Sequence, residues 1–138
     1  DTIQFKDGKL FLNKNEIIKK KNQNTYQIRC GINSPEVNAY TETLPNGKTY
    51  IAVYNKSGTM QNTDEYKVPD DHFFFLGDNR DCSKDSRYLS SVGYVSNENL
   101  VGKASIIFFS NDTIISSILK FWNWNKSLRI ERFFSFLK

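Results

Sequence analysis

A mainly β fold is the class this sequence predicts, on three observations. Ile, Val, Tyr, Phe and Thr are plentiful and Ala is scarce, a bias toward strands. Alternating apolar runs are joined by turn residues, Asp7-Gly8 and Pro45-Asn46-Gly47. No long stretch with a 3.6-residue period occurs before residue 112. The 138 residues suffice for one domain with a modest core. An aromatic content of 14% supplies buried area and argues against disorder.

Taken in order, Ile3, Phe5, Leu10 and Leu12 alternate with polar neighbours around Asp7-Gly8, a favoured two-residue turn, so residues 3–12 read as a hairpin. Residues 13–25 are rich in Lys and Asn and read as a short strand at Ile17-Ile18 plus an exposed loop. Residues 25–32 alternate as a strand, and residues 37–55 form a second hairpin about Pro45-Asn46-Gly47. Residues 56–65 are polar and read as a loop. Pro69 and Asp70-Asp71 then punctuate before residues 72–76, HFFFL, a strand apolar on both faces that belongs in a core. Residues 93–110 read as a short strand, a polar turn and a long strand ending at Ser110. In the tail, Ile130, Phe133, Phe134 and Leu137 fall at i, i+3, i+4 and i+7, with Lys126, Arg129 and Arg132 between them. That is the template of an amphipathic helix with basic flanks, either packed on its own domain or lying at an interface. Trp122 and Trp124 suit an interfacial position.

The formal net charge is +4, drawn largely from residues 19–21 and from Lys120, Lys126, Arg129, Arg132 and Lys138. Such a balance fits nucleic acid, an anionic membrane surface or simple solubility. No recognised strand motif interleaves aromatic and basic residues, so nucleic acid is not expected as a partner. Cys30 and Cys82 form no CxxC or Cys/His cluster and His72 is the single histidine, which excludes a zinc site of the usual kind. No cofactor is expected. The run 114–124 is interrupted by Ser116, Ser117, Lys120 and Asn123 and is no transmembrane helix. The first residue is Asp1, and the chain is expected to be a piece of a longer protein.

Residues 77–87, GDNRDCSKDSR, follow the apolar run directly and alternate acid and base: Asp78, Arg80, Asp81, Lys84, Asp85 and Arg87. A calcium loop would place oxygen ligands at alternating positions, whereas here Arg80 and Cys82 stand third and fifth from Asp78. A solvated loop and an internally paired network beside a core both remain open on residue types alone.

The segment resembles the GDNRDNSxDSR signature of bacterial type I signal peptidases. The lead-in VPDDHFFFLGDNRD (68–81) and the later GYVSNENLVGKA (93–104) are similar to that family's V-P-x-x-x-[YF]-F-x-x-G-D-N-R-D and G-x-V-x(6)-G-[KR]-A patterns. Residues 1–5, DTIQF, resemble more weakly the stretch after the family's G-L-P-G-D motif. The resemblance implies coiled antiparallel sheets. Residues 1–138 would be the C-terminal part of a catalytic domain, with a β lobe at 13–65, core motifs at 66–110 and an aromatic, basic tail at 112–138. It also implies a serine endopeptidase that removes signal peptides after an Ala-x-Ala site, on the outer face of the bacterial plasma membrane. The partners implied are preprotein signal peptides and the lipid surface.

By the same resemblance, the serine nucleophile and the lysine base precede Asp1, so no catalytic residue is expected here and the chain alone should be inert. The lysine must lose its proton below its reference pKa of about 10.4, which burial against apolar groups promotes. Ser83 is expected to hydrogen-bond that amine, Asp85 and Arg87 to form the ion pair that holds the turn, and Gly77 to allow close backbone approach. Ser57, before Gly58-Thr59-Met60, is not the expected nucleophile. A non-catalytic peptide-binding or regulatory remnant of the same fold is the alternative. Cys82 departs from the family's Asn, and a buried free thiol is expected there rather than a disulfide to Cys30.

Overall fold

In the computed structural model, which describes residues 1–27, Cys30, 36–55, 62–110 and 128–136, the first hairpin forms as its turn residues require. Asp7 and Gly8 take φ of 49° and 70°, the left-handed pair that joins two strands with the right twist. Strands β1 (Thr2–Lys6) and β2 (Lys9–Leu12) pair with Ile3 opposite Leu12 and Phe5 opposite Leu10. A second turn of the same hand, at Asn13 and Lys14 (φ 49° and 66°), leads into β3 (Asn15–Glu16). Asn13 holds it by accepting from Thr2 N at 2.8 Å and donating to Asp1 at 2.9 Å. With β7 (Tyr66–Lys67) added against β1, the sheet order is β3-β2-β1-β7. Ile3, Phe5, Leu10, Ile17 and Tyr66 bury together on it, with Leu12, Leu44, Val68, Phe74, Leu76 and Tyr94 packed alongside. Each such large side chain contributes about 1.5–3 kcal/mol of burial.

The lysine-rich stretch is not the short strand and loop its composition predicts. Residues Ile18–Gln27 form the ten-residue strand β4. Its partners explain this. Lys19 lies opposite Glu42, Lys20 opposite Thr41 and Lys21 opposite Tyr40 on β5 (Glu36–Thr43). Opposed charges and an aromatic make cross-strand pairs that offset the cationic run. The second expected hairpin, β5 to β6 (Thr49–Asn55), turns through Gly47 at φ 80°. The sheet order is β4-β5-β6, and Val37, Ala39 and Val53 form its small core.

Residues 72–76 are not one core strand. Only β8 (His72–Phe73) pairs, with β9 (Val95–Ser96). Phe74 and Leu76 turn inward while Phe73 and Phe75 remain largely exposed. The expected long strand before Ser110 is likewise only β10 (Ile106–Ile107).

By contacts the chain divides into two units, Asp1–Leu100 and Val101–Lys138. In the second, β10 pairs with β11 (Ser135–Phe136), and Phe109 meets the Phe133 ring at 5.6 Å. The tail template is not helical where it is described. Ile130–Arg132 is a single 3₁₀ turn, and Phe134, at φ 56° and with its own N–H donating to Ile107 O, turns the chain back into β11. Trp122, Trp124 and Leu137 lie outside the described residues. Among the described residues, no helix is long and apolar enough to cross a membrane.

Candidate functional site

Residues 77–87 fold as a loop whose two limbs run side by side. Phe75 N donates to Ser86 Oγ at 2.9 Å, and Ser86 N donates back to Phe75 O at 3.1 Å. Gly77 N donates to Asp85 Oδ2 at 2.8 Å. These bonds satisfy the lead-in backbone through the loop's own return limb, which is why residues 74–77 find no strand partner. Ser86 is wholly buried, and Asp85 and Arg87 are nearly so.

Arg87 grips Asp85 with two parallel bonds, Nε to Oδ1 at 2.7 Å and an Nη to Oδ2 at 2.8 Å. A planar fork on a carboxylate is the strong form of this contact. Burial pushes the Asp85 carboxyl up, but the Arg87 bond, the Gly77 N–H and the Arg87 charge outweigh it and hold it below the usual value. The Arg87 guanidinium also lies 5.7 Å from the Phe5 ring centroid, and its carbonyl accepts from Tyr66 Oη at 3.3 Å. The return limb is thereby fixed to the core of the first sheet.

Ser83 sits at the head of the loop, half-exposed, with its N–H on Asn79 O at 2.9 Å. Its side chain takes the space where residue 77 would carry a Cβ. A carbon added there would lie 2.0 Å from Ser83 Oγ and 2.2 Å from Ser83 Cβ. Gly77 is therefore a glycine because Ser83 lies against it.

The first half of the loop is held by the other sheet. Asn79 makes a parallel bridge with Val53 on β6, through Val53 N to Asp78 O at 2.8 Å and Arg80 N to Val53 O at 3.0 Å. Asn55 N donates to Asp81 Oδ2 at 2.5 Å. Arg80 turns over the sheet, 3% exposed, onto Glu42, 1% exposed, at 2.8 Å. Tyr54 bonds both Glu42 and Arg80, and Tyr50 accepts from Arg80 at 3.4 Å. Burial raises the Tyr54 and Tyr50 phenols. It opposes the Arg80 charge, which Tyr54 and Glu42 more than restore. Lys19 stands over the Tyr54 ring at 4.3 Å and donates to Gly8 O at 2.7 Å, its pKa lowered chiefly by burial.

The expected free thiol is overturned: Cys30 and Cys82 form a disulfide, with Cα atoms 5.7 Å apart. Strand register explains the meeting. Gln27 pairs with Glu36, and Val37 pairs with Asn55, whose N–H carries Asp81. The connection holding Cys30 and the turn holding Cys82 thus share one end of the sheet. Both cysteines are half-buried.

Gly77, Ser83, Asp85 and Arg87 lie together in this loop. Ser57 lies outside the described residues. Beside the loop, an apolar groove of about 520 Å³ is lined by Ile3, Leu12, Ile17, Phe74 and Leu76, with Asp1, Tyr50 and Arg80 also at its wall.

A family model described as "Signal peptidase, peptidase S26" matches residues 1–109. The chain belongs to the signal peptidase family. Signal peptidase I of Rickettsia conorii is 37% identical over 97% of this chain and 54% of its own length. That of Rickettsia prowazekii is 38% identical over 97% and 54%, and that of Rickettsia bellii 36% over 97% and 50%. The chain spans about half the length of these curated relatives. No solved structure matches it significantly. Within this signal peptidase chain, sequence reasoning missed Glu42, Tyr50 and Tyr54 as partners of the signature and set Cys30 aside. A Glu among Val37, Ala39 and Tyr40 on a half-buried strand was the one available signal, since a carboxylate there demands a buried cation.

Proposed function

We propose that the complete protein is a signal peptidase I, a serine endopeptidase of the Ser/Lys type that cuts signal peptides from exported preproteins. The nucleophile and the lysine base are supplied by residues preceding Asp1, and this chain alone does not cleave. Ser83 orients the neutral amine of the lysine. Asp85 and Arg87 fix the loop that carries Ser83, and Gly77 gives Ser83 room. No cofactor enters this chemistry. The protein works at the outer face of the bacterial plasma membrane, with signal peptides and the lipid surface as its partners and nucleic acid as none. A disulfide fits that placement, because such bonds persist in oxidising compartments.

One observation carries the reading. The two buried limbs hold Ser83 against Gly77, and the neighbouring Leu76 and Arg80 line an apolar groove with Asp1 at its wall. A lysine shortly before Asp1 would be desolvated by such a lining, which lowers its pKa toward neutrality. The neutral amine is then able to take the serine proton as the nucleophile attacks the scissile carbonyl.

The test uses the complete protein and a preprotein. Ser83→Ala should lower kcat by about tenfold to a hundredfold while the unfolding midpoint stays within a few degrees. Unchanged kinetics would remove Ser83 from the site. Cleavage by the isolated chain that Ser57→Ala abolishes would refute the placement of the dyad, and an upstream sequence lacking both serine and lysine would refute the peptidase reading.

A further inference from the structure

Cys82 immediately precedes Ser83, and the bonds at this point of the loop differ in kind from those on either side. Residues 78–81 are tied to β6 and β5 by Val53, Asn55 and Glu42. Residues 85–87 are tied to the lead-in limb, Phe5 and Tyr66. Between them, the backbone N–H groups of Cys82 and Ser83 bond Asn79 within the turn, to its O at 3.3 and 2.9 Å and to its Oδ1 at 3.3 Å, and Ser83 O accepts one long bond from Arg87 at 3.4 Å. The disulfide to Cys30 is what links this stretch to the connection between β4 and β5. We propose that the Cys30–Cys82 disulfide is a positioning bond for Ser83, so that turnover by the complete protein depends on this pair being oxidised.

The proposal rests on the role given to Ser83 above. Both cysteines are half-buried rather than fully enclosed, and the thiol count below reports whether a small dithiol opens the bond. The dithiol thiolate attacks one sulfur to give a mixed disulfide, and its second thiol displaces the protein sulfur. Two electrons and two protons pass to the two Sγ atoms, leaving two protein thiols and an oxidised, cyclic dithiol. Freed from Cys30, the loop head keeps its turn and the long Arg87 bond but loses its covalent link to the β4–β5 connection, and the Ser83 hydroxyl meets the amine less precisely.

The experiment compares the complete protein, oxidised and after dithiothreitol treatment, with thiols counted by titration. Reduction should lower kcat by about tenfold, the cost of a displacement of about half an ångström where about 1 Å costs about a hundredfold, and leave KM within about twofold. The acidic limb of the pH–rate profile should move to higher pH, because a hydrogen bond that favours the neutral amine is weakened. A purely structural disulfide would not move that limb. Cys30→Ser should reproduce the reduced enzyme and ignore dithiothreitol. A fully reduced protein whose kcat and pH profile match the oxidised form overturns the proposal. If the oxidised protein cleaves no preprotein, the peptidase reading fails instead. Amide exchange then decides the positioning: faster exchange confined to residues 82–84 on reduction supports it, and unchanged protection there sinks it.

Discussion

Replacing Gly77 by alanine places a methyl carbon 2.0 Å from Ser83 Oγ and 2.2 Å from Ser83 Cβ. Carbon atoms in ordinary contact stand about 3.5–4.0 Å apart, so Ser83 Cβ must retreat by about 1.3 Å. The lead-in limb has little freedom to give instead, because Gly77 N is bonded to Asp85 and Phe75 is bonded twice to buried Ser86. Ser83 is half-exposed and yields first. Overpacking of this size costs about 1–3 kcal/mol, which a domain of ordinary stability, about 5–15 kcal/mol, survives. Displacing a positioned group by about 1 Å lowers turnover by about a hundredfold. On the role proposed for Ser83, Gly77→Ala in the complete protein should therefore lose most of its kcat on a preprotein while its urea midpoint falls modestly. Removing the clashing side chain in Gly77→Ala/Ser83→Gly should recover much of the stability and none of the turnover. A Gly77→Ala enzyme with kcat within twofold of wild type and an unchanged midpoint would refute the contact between residues 77 and 83.

Glu42→Gln leaves Arg80 charged, 3% exposed and without its counter-ion, and should lower the unfolding free energy by about 3–5 kcal/mol in urea; a loss under about 1 kcal/mol would show that the pair is not closed in solution. Asp85→Asn should cost a similar amount at neutral pH, because it strands Arg87. The Asp85 carboxyl is held below its unfolded value near 3.8, so its contribution is present above that pH and is lost as pH falls through the folded value. The gap between wild type and Asp85→Asn, followed by urea unfolding, should close below about pH 4; a gap that stays constant to pH 2 would contradict the linkage.

The parts of this fold that were legible in the sequence are those whose cause is local. Asp7-Gly8 and Pro45-Asn46-Gly47 need no distant partner to turn the chain, and both hairpins stand where they were expected. Strand β4 was illegible because Lys19, Lys20 and Lys21 look like a loop until Glu42, Thr41 and Tyr40 are set across from them. Residues 74–76 were misjudged for the opposite reason. Their apolar composition promised a strand, but the groups that bond Phe75 and Gly77 are the Ser86 and Asp85 side chains, which no strand pattern encodes. The disulfide was weighed and set aside for a free thiol, because its formation depends on which end of the β4-β5-β6 sheet receives residues 78–82, a matter of register.

The same division runs through the signature itself. Asp85 and Arg87 are two residues apart and close a pair within the segment, a pairing that alternating charge foreshadows. Arg80, Asp81 and Cys82 all reach outside it, to Glu42, to Asn55 N and to Cys30. Ser83 stands where the two sets meet. Its return side is fixed to the first sheet through Phe5 and Tyr66, and its entry side to the second through Val53, Glu42 and Cys30. The placement of one hydroxyl thus depends on both sheets. Changes in the β4-β5-β6 sheet should reach Ser83 through Arg80, Asp81 and Cys82, and of these three links only the disulfide is opened by a two-electron reductant.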